Sequence, residues 1–313
     1  MRGSNFEKGV TVSVASETVS GVQGRIARLV VYPVKSCAGI ELTEAELTPA
    51  GLDLDRAWMV VDAQGQFVTQ REMPRLALVQ PALKRGEVVL RAPGMLALHL
   101  ALDTVEEPVR VRVWDDEVAA YDMGDIAAQW FTDFLSLNDQ GLPSSTGQPY
   151  RLVRFDPEHQ RLSSKKWTHE VDAPNQFSDG FPILLMSQAS LDELNARLQT
   201  NGHEAVNLAR FRPNIVLEGL NAQDEDRVSD MHFQTDQGPV VLRAVKPCAR
   251  CPIPNIDPQT GLSSPVVGDT LQSYRQNARM KGAVTFGMNA VAVSGQGLTL
   301  RVGQTVKADY SFE

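Results

Sequence analysis

Cysteine is scarce in this chain: 313 residues contain only Cys37, Cys248 and Cys251. That excludes a fold framed by disulfides. It fits a reducing compartment, where a close pair of thiols more often serves metal or redox chemistry. Long apolar runs are missing too. Nothing approaches the roughly 20 consecutive apolar residues that span a bilayer, so no membrane partner is expected. Basic runs are also absent. The densest cluster, Ser163 to Trp167, is short, and the formal net charge is -8. An acidic chain repels nucleic acid unless a local basic patch overrides its field, so no nucleic-acid partner is expected. The N-terminus lacks the apolar core of a secretion signal, and residues 1–24 read as a polar, poorly ordered lead-in. These absences predict a soluble, cytoplasmic protein without internal repeats or low-complexity tracts.

Hydrophobic residues make up 42% of the chain, enough for a substantial core. The length exceeds the usual span of one core, roughly 100–200 residues, and predicts two domains. The first third reads as strands. "RIARLVVYPV" is rich in Val and Ile, and "GIELTEAEL" alternates Ile40 and Leu42 with acidic residues. "RAWMVVDAQGQFVTQR" predicts a hairpin turning at Gly65. "LALVQPAL", "GEVVLRAP" and "PVRVRVW" continue the pattern at the spacing of a barrel or sandwich.

"GDIAAQWFTDFLSL" predicts a helix whose apolar face holds Ile126, Trp130, Phe131 and Phe134. "NDQGLPSSTGQP", Asn138 to Pro149, has the composition of a linker and sets the expected boundary between domains at 25–140 and 150–310. Beyond it, "SQASLDELNARLQTNG" predicts a helix with Ser190 and Glu193 at capping-box spacing and Leu191, Leu194 and Leu198 as its apolar stripe. "RFRPNIVLEGL" and "GPVVLRAV" read as buried strands, "DTLQSYRQNARM" as a short helix and "LTLRVGQTV" as a closing strand pair. The fold class expected is mainly β with a few flanking helices (α+β).

Two of the three thiols stand in "KPCARCPIPNIDPQTG". This segment reads as a loop just past a strand, stiffened by Pro247, Pro252 and Pro254. Arg250 lies between the thiols and Lys246 precedes them, and such positive charge favours a thiolate. Three alternatives stay open on these residues alone. The pair could be inert and buried. It could belong to a structural zinc site, although zinc takes four ligands and the five histidines show no ligand spacing. It could supply one thiolate to a redox metal whose other ligands come from a cofactor.

The blocks "VYPVKSCAGIEL", "GLDLDRAWMVVD", "FVTQREMPRLALV", "FSDGFPILLMSQASLDELN", "RFRPNIVLEG", "VKPCARCPIPNIDPQTG", "LQSYRQ", "FGMNAVAV" and "LRVGQTV" run in order from about Arg25 to Val306. In that order they resemble the MOSC family, and within it the YcbX-like proteins and mitochondrial amidoxime-reducing components. The resemblance implies an N-terminal β-barrel domain followed by a MOSC domain.

It also implies a pterin-based molybdenum cofactor, with Cys251 as the protein's metal ligand and Cys248 a supporting neighbour. Lys35, Ser36 and Arg56 are then expected to hold the cofactor phosphate. Arg212 and Asn214 are expected against the cofactor, and Asp179 and Gly180 along the active site, with Asp179 the candidate proton donor. Arg275 is a weaker candidate, and Cys37 reads as structural.

The activity implied is reduction of N-hydroxylated compounds such as hydroxylamines, amidoximes or N-hydroxy nucleobases. Oxygen is removed at the Cys-ligated molybdenum, with electrons from a separate ferredoxin- or flavoprotein-type partner. A non-catalytic carrier of molybdenum cofactor or sulfur is the alternative. The chain departs from its relatives in three ways. It has no cysteine beyond Cys251, so it holds no four-cysteine iron–sulfur cluster of the ferredoxin kind. The N-terminal targeting and membrane segment of the mitochondrial members is not expected here. The stretch "NAQDEDRVSDMHFQTDQGPV" is more polar than expected before the cysteine strand.

Overall fold

A computed structural model describes residues 21–104, 107–137 and 147–311. The lead-in up to residue 20 and most of the expected linker lie outside these residues.

Seven strands close into a barrel. In order around it they are Ile183–Ser187, Ile215–Glu218, Val22–Val31, Thr305–Tyr310, Val228–Thr235, Gly238–Ala249 and Ala283–Ser294, and the last pairs back onto Ile183–Ser187. One neighbouring pair is parallel, Ile183–Ser187 with Ile215–Glu218. The helix Gln188–Thr200 supplies the crossover that such a pair needs. Gly287 sits where the barrel closes, at φ +80°, and a Cβ there would lie 2.7 Å from the Leu185 carbonyl oxygen. Only glycine allows so close an approach. Alternate residues of these strands, among them Ile26, Leu217, Phe233, Leu242 and Val306, fill the interior.

The other strands form a four-stranded sheet (Trp58–Asp62, Tyr150–Phe155, Asp116–Asp122, Pro108–Val113) and a meander (Gln80–Lys84, Glu87–Arg91, Leu98–Ala101). Both pack with the helix Gly124–Leu135 around Trp58, Val88, Leu100, Phe131 and Phe134. Strand pairing crosses the boundary expected from the sequence. Val22–Val31 belongs to the downstream barrel, and Tyr150–Phe155 pairs with Trp58–Asp62 and Asp116–Asp122 upstream. The chain therefore passes between the two halves at both ends of the first one.

Several local expectations change. Ile126 is 81% exposed, and Ala127 takes its place beside Trp130, Phe131 and Phe134. At 100° per residue Ile126 falls on the edge of that stripe, in the first turn. The expected hairpin forms but stays short: the Asp62 amide donates to the Gln66 carbonyl and the Val68 amide to the Val60 carbonyl, with Gly65 at φ 74°, while Gln66 also bridges Arg112. Ser187, not Ser190, caps its helix by accepting the Ser190 amide. The closing pair separates: Thr299–Arg301 joins Glu44–Thr48, while Thr305–Tyr310 enters the barrel. The helix expected across Asp269 to Met280 instead spans Val266–Gln272, and residues 276–277 pair with the strand Ala283–Ser294.

Candidate active site

The chain leaves the first barrel strand at Tyr32 and runs straight against the start of the second sheet. Backbone amides of Lys35, Arg56 and Trp58 donate to the carbonyls of Trp58, Tyr32 and Pro33, respectively. The Asp55 carboxylate accepts the Tyr32 amide at 2.9 Å. This zipper fixes Lys35 and Arg56 side by side although they are distant in sequence. Arg212 arrives from the turn before Ile215–Glu218, and its guanidinium lies on the Tyr32 ring at 4.3 Å, the same distance as that of Arg56. One tyrosine thus holds two like charges together.

Lys35, Ser36, Arg56, Asp179, Gly180, Arg212, Asn214 and Cys251 all line one cleft of about 140 Å³ between the barrel and the second sheet. The cysteine segment differs in form from the expected loop. Strand Gly238–Ala249 runs on through Pro247 and Cys248, and Cys251 follows before a short 3-10 turn at Ile253–Asn255. Cys248 also faces the cleft, half-buried, and its sulfur accepts from Arg250 Nη1 at 3.3 Å. Arg250 and Arg210 clamp the segment from both sides. Arg250 donates to the Phe211 carbonyl, and Arg210 donates to the Pro254 carbonyl and pairs with Asp257 at 3.0 Å. Arg210 is therefore a brace.

The charge balance is cationic. Lys35, Arg56, Arg71, Arg212 and Arg250 face the cleft, against the Asp179 carboxylate on its lining and the buried Asp55 carboxylate, which pairs with Arg56. Lys35 Nζ donates to Asp179 Oδ1 at 2.5 Å and to the Phe177 carbonyl at 2.7 Å, and Arg71 stands 3.6 Å from the other Asp179 oxygen. Burial lowers the Lys35 pKa despite that partner. Burial would raise the Asp179 carboxyl, but Lys35, Arg71 and Arg56 outweigh it and hold it at about 2. Asp179 thus stands as a carboxylate that accepts from Lys35 and faces Arg71. Burial and Arg56 lower Arg212 to about 10, and its Nη2 is buried with no hydrogen-bond acceptor, as is Arg250 Nε. Buried cationic donors of this kind call for an acceptor that the neighbouring side chains do not supply.

Backbone strain gathers at the same place. Ser36, Arg56 and Arg212 have φ of 67°, 52° and 59°, a region costly for residues with a Cβ. A Cβ on Gly180 would meet nothing within 4 Å, so the glycine leaves open space. Asn214 plays a different part. Its side-chain carbonyl accepts the Leu184 amide and Arg56 Nη1, and its amide donates to the Val30 carbonyl. It seats Arg56 rather than presenting free donors.

Cys37 is fully buried, with its thiol pushed up to about 12 by burial. Arg275 pairs with Asp226 and does not line the cleft. Among the described residues no three His, Cys, Asp or Glu side chains converge on a metal position. None of the described helices is long and apolar enough to cross a membrane.

Sequence reasoning missed Arg71, Arg161 and Tyr32. Arg161 is buried and donates to Asn175 and to the carbonyls of Gln176 and Ser178, fixing the loop that presents Asp179, while pairing with Asp116 at 2.8 Å. Nothing in "HQRLSS" announces this, because its acceptors are backbone carbonyls brought in by the fold.

The MOSC N-terminal beta barrel domain matches residues 23–138, and the MOSC domain matches residues 172–307. Mitochondrial amidoxime-reducing component 1 of Homo sapiens is 36% identical over 265 residues, covering 81% of this chain and 72% of its own. Mitochondrial amidoxime reducing component 2 of Rattus norvegicus is 36% identical over 265 residues, covering 80% and 72%. Component 2 of Homo sapiens is 34% identical over 263 residues, with the same coverage of 80% and 72%. These relatives are named for the mitochondrion and lend no support to the cytoplasmic location expected from composition. With both domains matched in order and these relatives covering about 80% of it, this chain belongs to the MOSC-domain family, in the group that includes the mitochondrial amidoxime-reducing components.

Proposed function

We propose that the cleft is the active site of a molybdenum-cofactor-dependent reductase of N-hydroxylated compounds, in line with the names of the relatives. The observation that carries this reading is the meeting of Cys251 with a cationic floor whose buried Arg212 Nη2 lacks an acceptor. An anionic pterin cofactor with a soft metal fits that donor set: guanidinium and ammonium donors suit its phosphate, and a single thiolate suits molybdenum. Lys35, Ser36 and Arg56 would hold the phosphate, Arg212 would take a further acceptor, and Cys251 would bind the metal. When bound, the cofactor supplies the two-electron removal of oxygen from nitrogen that no side chain provides.

The remaining work belongs to the chain. Asn214 and Tyr32 keep Arg56 and Arg212 in place, and Gly180 leaves room beside Asp179. An anion on Lys35 would release the Asp179 carboxylate, which could then accept and return a proton at the cleft mouth. Electrons would come from a separate ferredoxin- or flavoprotein-type partner.

The test is to express the chain in a host that makes the cofactor, measure molybdenum by mass spectrometry, and assay hydroxylamine with a reduced dye. Stoichiometric molybdenum, and turnover lost in Cys251→Ala, is the expected result. Molybdenum without turnover, together with transfer of cofactor to an acceptor enzyme, would favour a carrier. A metal-free sample from such a host would end the proposal.

A further inference from the structure

Strands Pro108–Val113 and Asp116–Asp122 are joined by a two-residue turn, Trp114 and Asp115. Trp114 occupies its first position with φ 56°. Two-residue hairpin turns that need a left-handed first residue favour glycine there, and a bulky side chain at positive φ is an outlier. The ring is only about half-buried, since Trp114 is 47% exposed. Strain kept at an exposed aromatic calls for a use outside the turn.

The surroundings supply one. The Trp114 ring meets Phe67 edge to face, with centroids 4.9 Å apart, and the Arg71 guanidinium lies 4.7 Å from the Trp114 ring. These residues line a cleft of about 560 Å³ together with Asp62, Glu72 and Asp115. That volume lies within the range of small-molecule sites, roughly 300–1,000 Å³. Arg71 lines the candidate active cleft as well and reaches Asp179 there, so the two clefts adjoin through one side chain. The rim is acidic. Asp62 and Glu72 each commit an oxygen to backbone amides, and Asp115 is exposed with no ion pair among the described residues.

We propose that Trp114 and Phe67 form a platform for the ring of a flat aromatic substrate, with Arg71 marking the way to the reacting cleft. An aromatic face suits a planar ring. The carboxylates suit the N–H and O–H donors of an amidine, an amidoxime or an N-hydroxylated aminoheterocycle. The platform makes Trp114 a specificity-determining residue, and the substrate class rests on the reductase reading of the neighbouring cleft.

The test uses benzamidine, which has the ring and the amidine but no N–OH group, so that binding is measured without turnover. Trp114→Gly suits the turn and keeps the fold. Trp114→Phe restores a ring. Calorimetry should show benzamidine binding to the unaltered chain, a Kd about tenfold weaker in Trp114→Gly, and recovery in Trp114→Phe, the size expected for one stacked ring. In the molybdenum-loaded enzyme, the preference for benzamidoxime over hydroxylamine should fall about tenfold in Trp114→Gly, through KM. Equal benzamidine affinity in the two proteins, or none in either, overturns the platform. A rate in Trp114→Gly that falls only with a protein electron donor and not with reduced dye, with benzamidine binding unaltered, also overturns it and makes Trp114 a docking contact. Trp114-dependent binding of benzamidine without reduction of either N–OH compound supports the platform and removes the reductase reading instead.

Discussion

Asp179→Asn tests the electrostatics of the cleft directly. In the unliganded protein Asp179 is the one carboxylate facing Lys35 and Arg71. Its pKa falls from 3.8 to about 2, because the cations outweigh the burial that would raise it. Without screening, the hold of these cations on the carboxylate would be worth about 2.5 kcal/mol. The Asp179 side chain is 55% exposed, so solvent screening reduces the contribution to about 1 kcal/mol.

The sign follows from linkage. A depressed carboxylate stabilises the fold above the unfolded value near 3.8, and that stability is lost as pH falls through about 2. Urea unfolding should therefore find Asp179→Asn about 1 kcal/mol less stable at pH 6–7, with the gap shrinking below about pH 4. Lys35 adds an opposite trend at high pH. Burial already lowers its pKa, so its charge is a cost that deprotonation relieves, and Asp179→Asn should regain stability as pH rises toward the ordinary lysine range. Inorganic phosphate should bind the variant several-fold more tightly, because the internal competitor is gone. A stability gap that is flat from pH 3 to pH 9, together with weaker phosphate binding, would refute this account.

Other expectations are simpler to check. Molybdenum content should survive in Cys248→Ser and be lost in Cys251→Ser, read by mass spectrometry on protein from the same host. Arg161→Met leaves buried carbonyls and Asn175 without a donor and should cost about 2–4 kcal/mol in urea unfolding. Gly287→Ala places a Cβ 2.7 Å from the Leu185 oxygen at φ +80° and should cost at least about 2 kcal/mol. Phe131→Ala should cost about 3–5 kcal/mol, while Ile126→Ala, on the exposed side of the same helix, should stay within about 0.5 kcal/mol. Equal losses at Phe131 and Ile126 would contradict the packing described.

The sequence by itself determined much of the local structure and named several residues that the fold brings into one cleft. The Val- and Ile-rich run in "RIARLVV" and the Val-rich run in "GPVVLRAV" dictate strands, because β-branched side chains pack well on a pleated sheet. The Leu191, Leu194 and Leu198 stripe dictates a helix packed by one face. The ordered blocks were enough to name Lys35, Arg56, Arg212 and Cys251, whose distances along the chain say nothing of their meeting.

Tertiary structure alone decided that the first strand leaves its own half to complete the downstream barrel, since pairing partners are not encoded in a strand's period. It also decided that Ile126 faces water, because a residue on the edge of an apolar stripe takes whichever side its neighbours leave. The charge state of Asp179 and the hub role of Arg161 come from carbonyls and cations converging from distant segments. Such fields depend on distance in space, and a sequence records only distance along the chain.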